Sequence, residues 1–309
     1  MSEIQFRPGR KPPTPSRPRL RFAQFKTTQE PVPASTDWLG EVYDWPMYLN
    51  DRLGTCGIAA PGHMIEVHTA YATGTAFEIT DNDVLKAYSA ISGYNPNTGA
   101  HDDGVVLQEM LGYWRKTGIG GHKILGFAEI DVRDLDEVKR ATATFETVLL
   151  GIDFPAFAMD QFNQGKPWDI SSRNTQIEGG HAIHEGWYDT ASGTWKVITW
   201  GEVQTMTQRF FDKYVEEAWV VISEDLFDPT TGLAPKGIDQ FALGEAFTAL
   251  TGEPNPFPEP VDPDPAPAPQ PEPVPPSVDV AFAAATRRLL RTKIVPRYFR
   301  DAATAWLNG

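Results

Sequence analysis

The stretch Asn50-Asp51-Arg52-Leu53-Gly54-Thr55-Cys56-Gly57-Ile58-Ala59-Ala60 holds the only cysteine of the 309-residue chain. A lone cysteine cannot close an intramolecular disulfide, so its role is either packing or reactivity. Gly54 and Thr55 predict a tight turn with a capping hydroxyl. The apolar run through Ile58, Ala59, Met64, Ile65 and Val67 predicts a helix behind it. Cys56 then stands at a helix N-terminus, where unpaired N–H groups and the helix dipole favour thiolate over thiol. Asn50, six residues upstream, carries an amide that could donate to an oxyanion.

A thiol nucleophile needs a base, and Gly179-Gly180-His181-Ala182-Ile183 supplies a candidate. Two glycines let another backbone approach closely, so His181 at the start of a strand could face a cleft and take the proton of Cys56. Thr199-Trp200-Gly201 ends a second strand candidate, where the indole could lie over the imidazole. The competing reading is that Cys56 and His181 merely pack. A metal site of Cys56, His181 and His184 is disfavoured, because the two histidines are badly spaced along a strand and no fourth ligand stands nearby. His63 and His68 lie five apart on the first helix rather than the four that align ligands, and with His101 and His122 they read as core or surface residues. No metal or cofactor is expected.

The elements that must position these residues change character along the chain. Residues 1–32 mix proline, arginine and polar residues without periodicity and predict an extended basic arm. Asp37-Trp38 and the run to Pro46 predict a short extended segment. Helices are expected from Cys56 to about Ala72 with Gly74 as the stop, after Asp81 as a cap, after Asp103 to Gly118, and over 134–146. Strands are expected over 147–152, 182–188, 194–200 and 218–222, with Asp189-Thr190-Ala191-Ser192-Gly193 as a hairpin turn. The fold class is therefore α+β, a helical half followed by an antiparallel sheet half over residues 33–252, with a cleft between them. Residues 253–279, with twelve prolines among small and acidic residues, predict a stiff acidic linker, and 280–309 predict two short basic helices split by Pro296. Thirty residues cannot bury a core of their own, so that tail is expected to dock on its own body or on another protein.

The net charge of −14 is unevenly spread. Residues 1–26 carry seven basic residues against Glu3, residues 253–279 carry six acidic residues and no basic one, and residues 280–309 carry six basic residues against Asp301. That leaves the body between strongly acidic. An acidic body does not bind nucleic acid by its broad surface; only the basic ends could touch phosphate. No apolar run reaches membrane length, and the polar N-terminal stretch has no apolar core of a secretory signal, so a cytoplasmic protein without membrane contact is expected.

Asp37-Trp38, Asn50, Gly54-Thr55-Cys56 entering a helix, Gly180-His181-Ala182 and Trp200-Gly201 stand in the order, and nearly at the spacings, of the papain-like cysteine peptidases, which residues 33–224 resemble. The resemblance implies a two-lobed fold, a peptide or protein substrate, Cys56 as nucleophile, His181 as base and Asn50 as oxyanion donor where the family has glutamine. Three features depart from the pattern. Ile198 stands where the family carries an asparagine that orients the histidine, Gly57 replaces an aromatic residue, and the Asn50 amide is one methylene shorter. Thr199 could substitute for that asparagine as a hydrogen-bond acceptor, unless strand alternation turns it away from the ring. The Leu-Asn-Asp-Arg-Leu-Gly-Thr-Cys variant with a later Thr-Trp-Gly is also similar to papain-like proteins of bacteriophages and bacteria, which implies a virion-associated role. The alternative to a hydrolase is an inactive papain-like module that serves a larger assembly such as a phage particle, tethered by its linker and tail. A cell-wall amidase of related Cys/His design lacks an accompanying wall-binding repeat.

Overall fold

Strand alternation in the second half of the chain builds a sheet with two buried faces. In the computed structural model Val148, Leu150, Ile152 and Phe154 point to one core while Leu149 points to the other. Ala218, Val220 and Ile222 likewise oppose Trp219 and Val221. The period of two dictates this division. The structure describes residues 7–14, 20–24, 31–235, 239–251, 254–255 and 257, all within a compact unit spanning Met1–Glu259. Apart from Pro254, Asn255 and Phe257, the expected linker 253–279 and basic tail 280–309 lie outside the described residues.

In chain order, the described elements begin with β1 (Arg10–Lys11), β2 (Ser35–Asp37), α1 (Cys56–Thr73), α2 (Asp81–Ser92), β3 (Val105–Val106) and α3 (Leu107–Lys116). Then follow β4 (Ile124–Ile130), α4 (Leu135–Phe145), β5 (Val148–Pro155), α5 (Ala156–Asn163), β6 (Ile177–Asp189) and β7 (Thr194–Thr199). The last are β8 (Glu202–Thr207), α6 (Gln208–Tyr214), β9 (Val215–Ser223) and α7 (Gln240–Thr251). The sheet runs β3-β1-β6-β5-β9-β4, with β2 and β7 also on β6 and β8 beyond β7. All pairings are antiparallel except β1 with β3. The α+β class expected from the sequence is what the chain forms.

One face of the sheet packs through Leu149, Ala182, Trp219 and Val221 against α1, α2 and α3. The other covers α4, α5 and α6 through a core rich in Trp168, Phe154, Phe210 and Phe211. Helix α1 is buried along nearly its whole length, and Gly74 ends it in a left-handed cap at φ 77°. Several expected boundaries shift. Thr80, not Asp81, caps α2, in a capping box with Asp83. The helix expected after Asp103 starts only at Leu107, because Val105 and Val106 are drawn into the sheet. Thr55 does not cap α1 with its side chain; its hydroxyl donates to the Tyr48 carbonyl at 3.0 Å. The described parts of the arm expected over 1–32 are built into the body: Arg10 and Lys11 form β1, and Phe22 packs edge-on against Phe145.

Candidate active site

The loop before α1 is wound tightly enough to aim its two polar residues. Tyr48 and Leu49 both take left-handed backbone conformations, at φ 52° and 63°, and the N–H groups of Arg52 and Leu53 return to the Leu49 carbonyl. The Gly54 N–H donates to Asp102 at 2.8 Å, and the Tyr88 hydroxyl of α2 donates to the same oxygen at 2.7 Å. This clamp delivers Cys56 to the first position of α1 and buries Asn50, whose Nδ2 has no hydrogen-bond partner among the described residues. A buried donor without an acceptor is uncommon and is suited to an oxygen that arrives with substrate.

The sulfur of Cys56 lies against β6. The Ala182 N–H donates to Sγ at 3.3 Å, so the residue next to His181 touches the candidate nucleophile. The His181 imidazole is buried under Trp200, stacked at 4.5 Å with 13° between the rings, and Phe154 meets it edge-on at 5.6 Å. Its Nε2 is 2.7 Å from Thr199 Oγ1. Trp200 and Gly201 form the turn between β7 and β8, both with positive φ (47° and 73°) as a two-residue hairpin of the I′ kind requires. That turn holds the indole over the imidazole. Ile198 pairs with His184 across the strands and packs with Trp38, Leu39, Val42 and Trp45. The polar contact to the imidazole therefore comes from the next residue along the strand.

Burial governs the charge of both groups. It pushes the Cys56 thiol up to about 12, against the opposing effects of the Ala182, Gly57 and Gly9 N–H groups and the Arg10 charge. It holds His181 down to about 3. In this covered arrangement burial acts against the thiolate that a helix N-terminus favours.

What covers the site is Gly9, on the stretch leading into β1, which sequence reasoning did not place there. A Cβ built on Gly9 would stand 2.5 Å from Cys56 Sγ and 2.6 Å from the Gly54 carbonyl oxygen. Gly9 between Pro8 and Pro12 was the available signal: an extended stretch whose one small residue permits close approach. His63, His68 and His184 are not brought to Cys56; they form a separate buried group near Trp45. Among the described residues no group of three His, Cys, Asp or Glu is placed to hold a metal ion.

No family model and no curated protein matches the chain. Solved structures do. Xylellain, a cysteine protease from Xylella fastidiosa, superposes with a TM-score of 0.53 at 13% identity, over 71% of this chain and 96% of that one. The procathepsin L 3 of Tenebrio molitor larval midgut gives 0.49 at 14% identity, over 66% and 73%. The ragweed pollen cysteine protease Amb a 11 in its proform gives 0.48 at 17%, over 65% and 69%. The xylellain superposition spans nearly all of that chain, and its low identity speaks for architecture alone. The chain has the fold of the papain-like cysteine proteases.

Proposed function

We propose that this chain is a cysteine-dependent hydrolase of peptide bonds. The observation that carries the reading is the contact of Cys56 Sγ with the Ala182 N–H, next along the strand to His181, whose ring is held by Thr199 and covered by Trp200. In this reading His181 takes the thiol proton as Cys56 Sγ attacks the substrate carbonyl carbon, and Asn50 Nδ2 donates to the oxyanion. The C–N bond then breaks as His181 returns the proton to the leaving amine. Water, deprotonated by the same imidazole, releases the acyl group and restores the thiol. Thr199 orients the ring, and Trp200 keeps water from its face.

The test is the rate of Cys56 alkylation by iodoacetamide from pH 4 to 9. It uses a Gly9→Val chain, whose added side chain does not fit between Gly54 and the sulfur, with and without His181→Ala. Labelling well below the free-thiol pKa of about 8.5, lost with the imidazole, is the expected result. Labelling that rises only near that value and ignores His181→Ala would overturn the peptidase reading and favour the inactive module of a larger assembly.

A further inference from the structure

Strand β1 is two residues long, yet among the described residues it alone links β3 to β6 in the sheet order. The Val105 N–H donates to the Gly9 carbonyl at 3.0 Å, and the Gly9 N–H donates to the Gly180 carbonyl at 3.2 Å. These bonds use main-chain atoms and would accept any extended peptide. Without β1, two unpaired strand edges would face each other across a groove with Cys56 at its floor. Selectivity must then come from the side chains that the groove receives.

Two requirements stand out. The position over Cys56 admits no Cβ, which selects glycine. The next residue lays its side chain along the face of the sheet, over Gly151 of β5 to Glu217 of β9. The Arg10 guanidinium is buried there, with Nε 2.6 Å from Glu217 Oε1 and Nη1 3.1 Å from Asp153 Oδ1 and 3.3 Å from the Ile152 carbonyl. Glu217 is oriented by the Trp219 indole N–H at 2.8 Å. Gly151 makes the passage: a Cβ there would lie 2.5 Å from Arg10 Nε. Arginine fits this arrangement better than lysine, since its planar fork meets several acceptors at once.

We propose that this groove is a peptide-binding subsite selective for the sequence Gly-Arg in an extended segment, and that the chain's own Gly9-Arg10 is its tethered, competing occupant. As a statement about substrate, this rests on the peptidase reading above; as a statement about binding, it does not require catalysis.

The experiment follows the binding of a fluorescent peptide spanning residues 6–13 by anisotropy, on full-length chains carrying Cys56→Ser so that no cleavage intervenes. Arg10→Ala in the chain empties the pocket, and binding is expected to be at least tenfold tighter than to the chain with its own arm seated. Arg10→Lys or Arg10→Gln in the peptide should weaken it tenfold or more. Adding Glu217→Gln to the chain should erase the preference for arginine. Equal affinity for the arginine and glutamine peptides, or no gain on Arg10→Ala, overturns the proposal. If Arg10→Ala does not fold, Gly9→Val replaces it; if neither folds, β1 is a structural strand and the proposal fails. Arginine-dependent binding without His181-dependent alkylation would sink only the peptidase reading, and the converse would sink only this one.

Discussion

A hydroxyl orients an imidazole by a single bond and, unlike a carboxamide oxygen, can donate as well as accept. Thr199 holds His181 Nε2 in this way, so its contribution to an imidazolium is one hydrogen bond to a charged ring, roughly 1.5 kcal/mol. Thr199→Val is therefore expected to slow the His181-dependent alkylation of the Gly9→Val chain about tenfold, and Thr199→Ser to restore it. A loss of alkylation that Thr199→Ser fails to restore would show that the methyl packing, not the hydroxyl, matters. Placing the family's asparagine at 198 would not improve the site. Ile198 is buried among Trp38, Leu39, Val42 and Trp45, and Ile198→Asn puts an amide into that apolar group at a cost of about 3 kcal/mol. Urea unfolding should register that loss as a lower midpoint; an unchanged midpoint would mean the amide reaches the imidazole instead.

At the level of elements, α2 rests on a local device. Thr80 accepts from the Asp83 N–H, and Asp83 accepts from the Thr80 N–H, two orphan donors satisfied reciprocally. Hydrogen bonds from the Thr80 side chain and backbone hold the Asp83 carboxyl below its usual range. Its support is present above the unfolded carboxylate pKa and lost as pH falls through the lowered one. Asp83→Ala should remove about 1 kcal/mol at pH 7 and less as pH falls through the carboxyl's lowered pKa; an equal loss at neutral and acid pH would exclude the carboxylate as the cause. Elements of this kind were legible in the sequence, because caps, glycine stops and apolar periods act over a few residues. The stop at Gly74, the turn at 189–193 and the apolar strand runs that became β5 and β9 belong to the same class. Strands β1 and β3 were not legible: two residues cannot show alternation, and their pairing spans about a hundred residues of chain. The same distance hid the state of Cys56. Its helix N-terminus is written locally, whereas the burial that raises its pKa is a product of the whole fold, with Gly9, far upstream in sequence, packed onto the sulfur. Arg10 was counted with the basic arm, and only the fold reveals that its charge is internal.

Across the whole molecule, two sets of buried titratable groups pull stability in opposite directions. Burial raises the carboxyls of Glu66, Glu146 and Glu185 to about 8, 9 and 8. Glu66 accepts from the Tyr48 hydroxyl and Glu185 from Thr142, while neither oxygen of Glu146 has a hydrogen-bond partner among the described residues. Burial also lowers His63 and His68 to about 4, His181 to about 3 and His184 well below its usual value. Groups raised in the fold stabilise fully below their unfolded pKa, about 4.3 for glutamate, and that stability is lost as pH rises through the folded values of 8 to 9. The neutral histidines stabilise fully above about 6.5, and that stability is lost as pH falls toward their folded values. Between about pH 4.5 and 6.5 the unfolded chain gains imidazole protons as the folded chain keeps its carboxyl protons, so the two slopes nearly cancel. The Tm is therefore expected to be highest in that window, to fall below it as the histidines dominate, and to fall from 6.5 to about 9 as the carboxyls do. Glu146→Gln keeps the shape of the neutral acid, so it should leave the Tm at pH 5 nearly unchanged and flatten the alkaline limb measured by calorimetry. A Tm that holds steady from pH 6.5 to 9, or an alkaline slope that Glu146→Gln leaves untouched, would mean that water reaches these carboxylates and that the interior on both sides of the sheet is wetter than its packing implies.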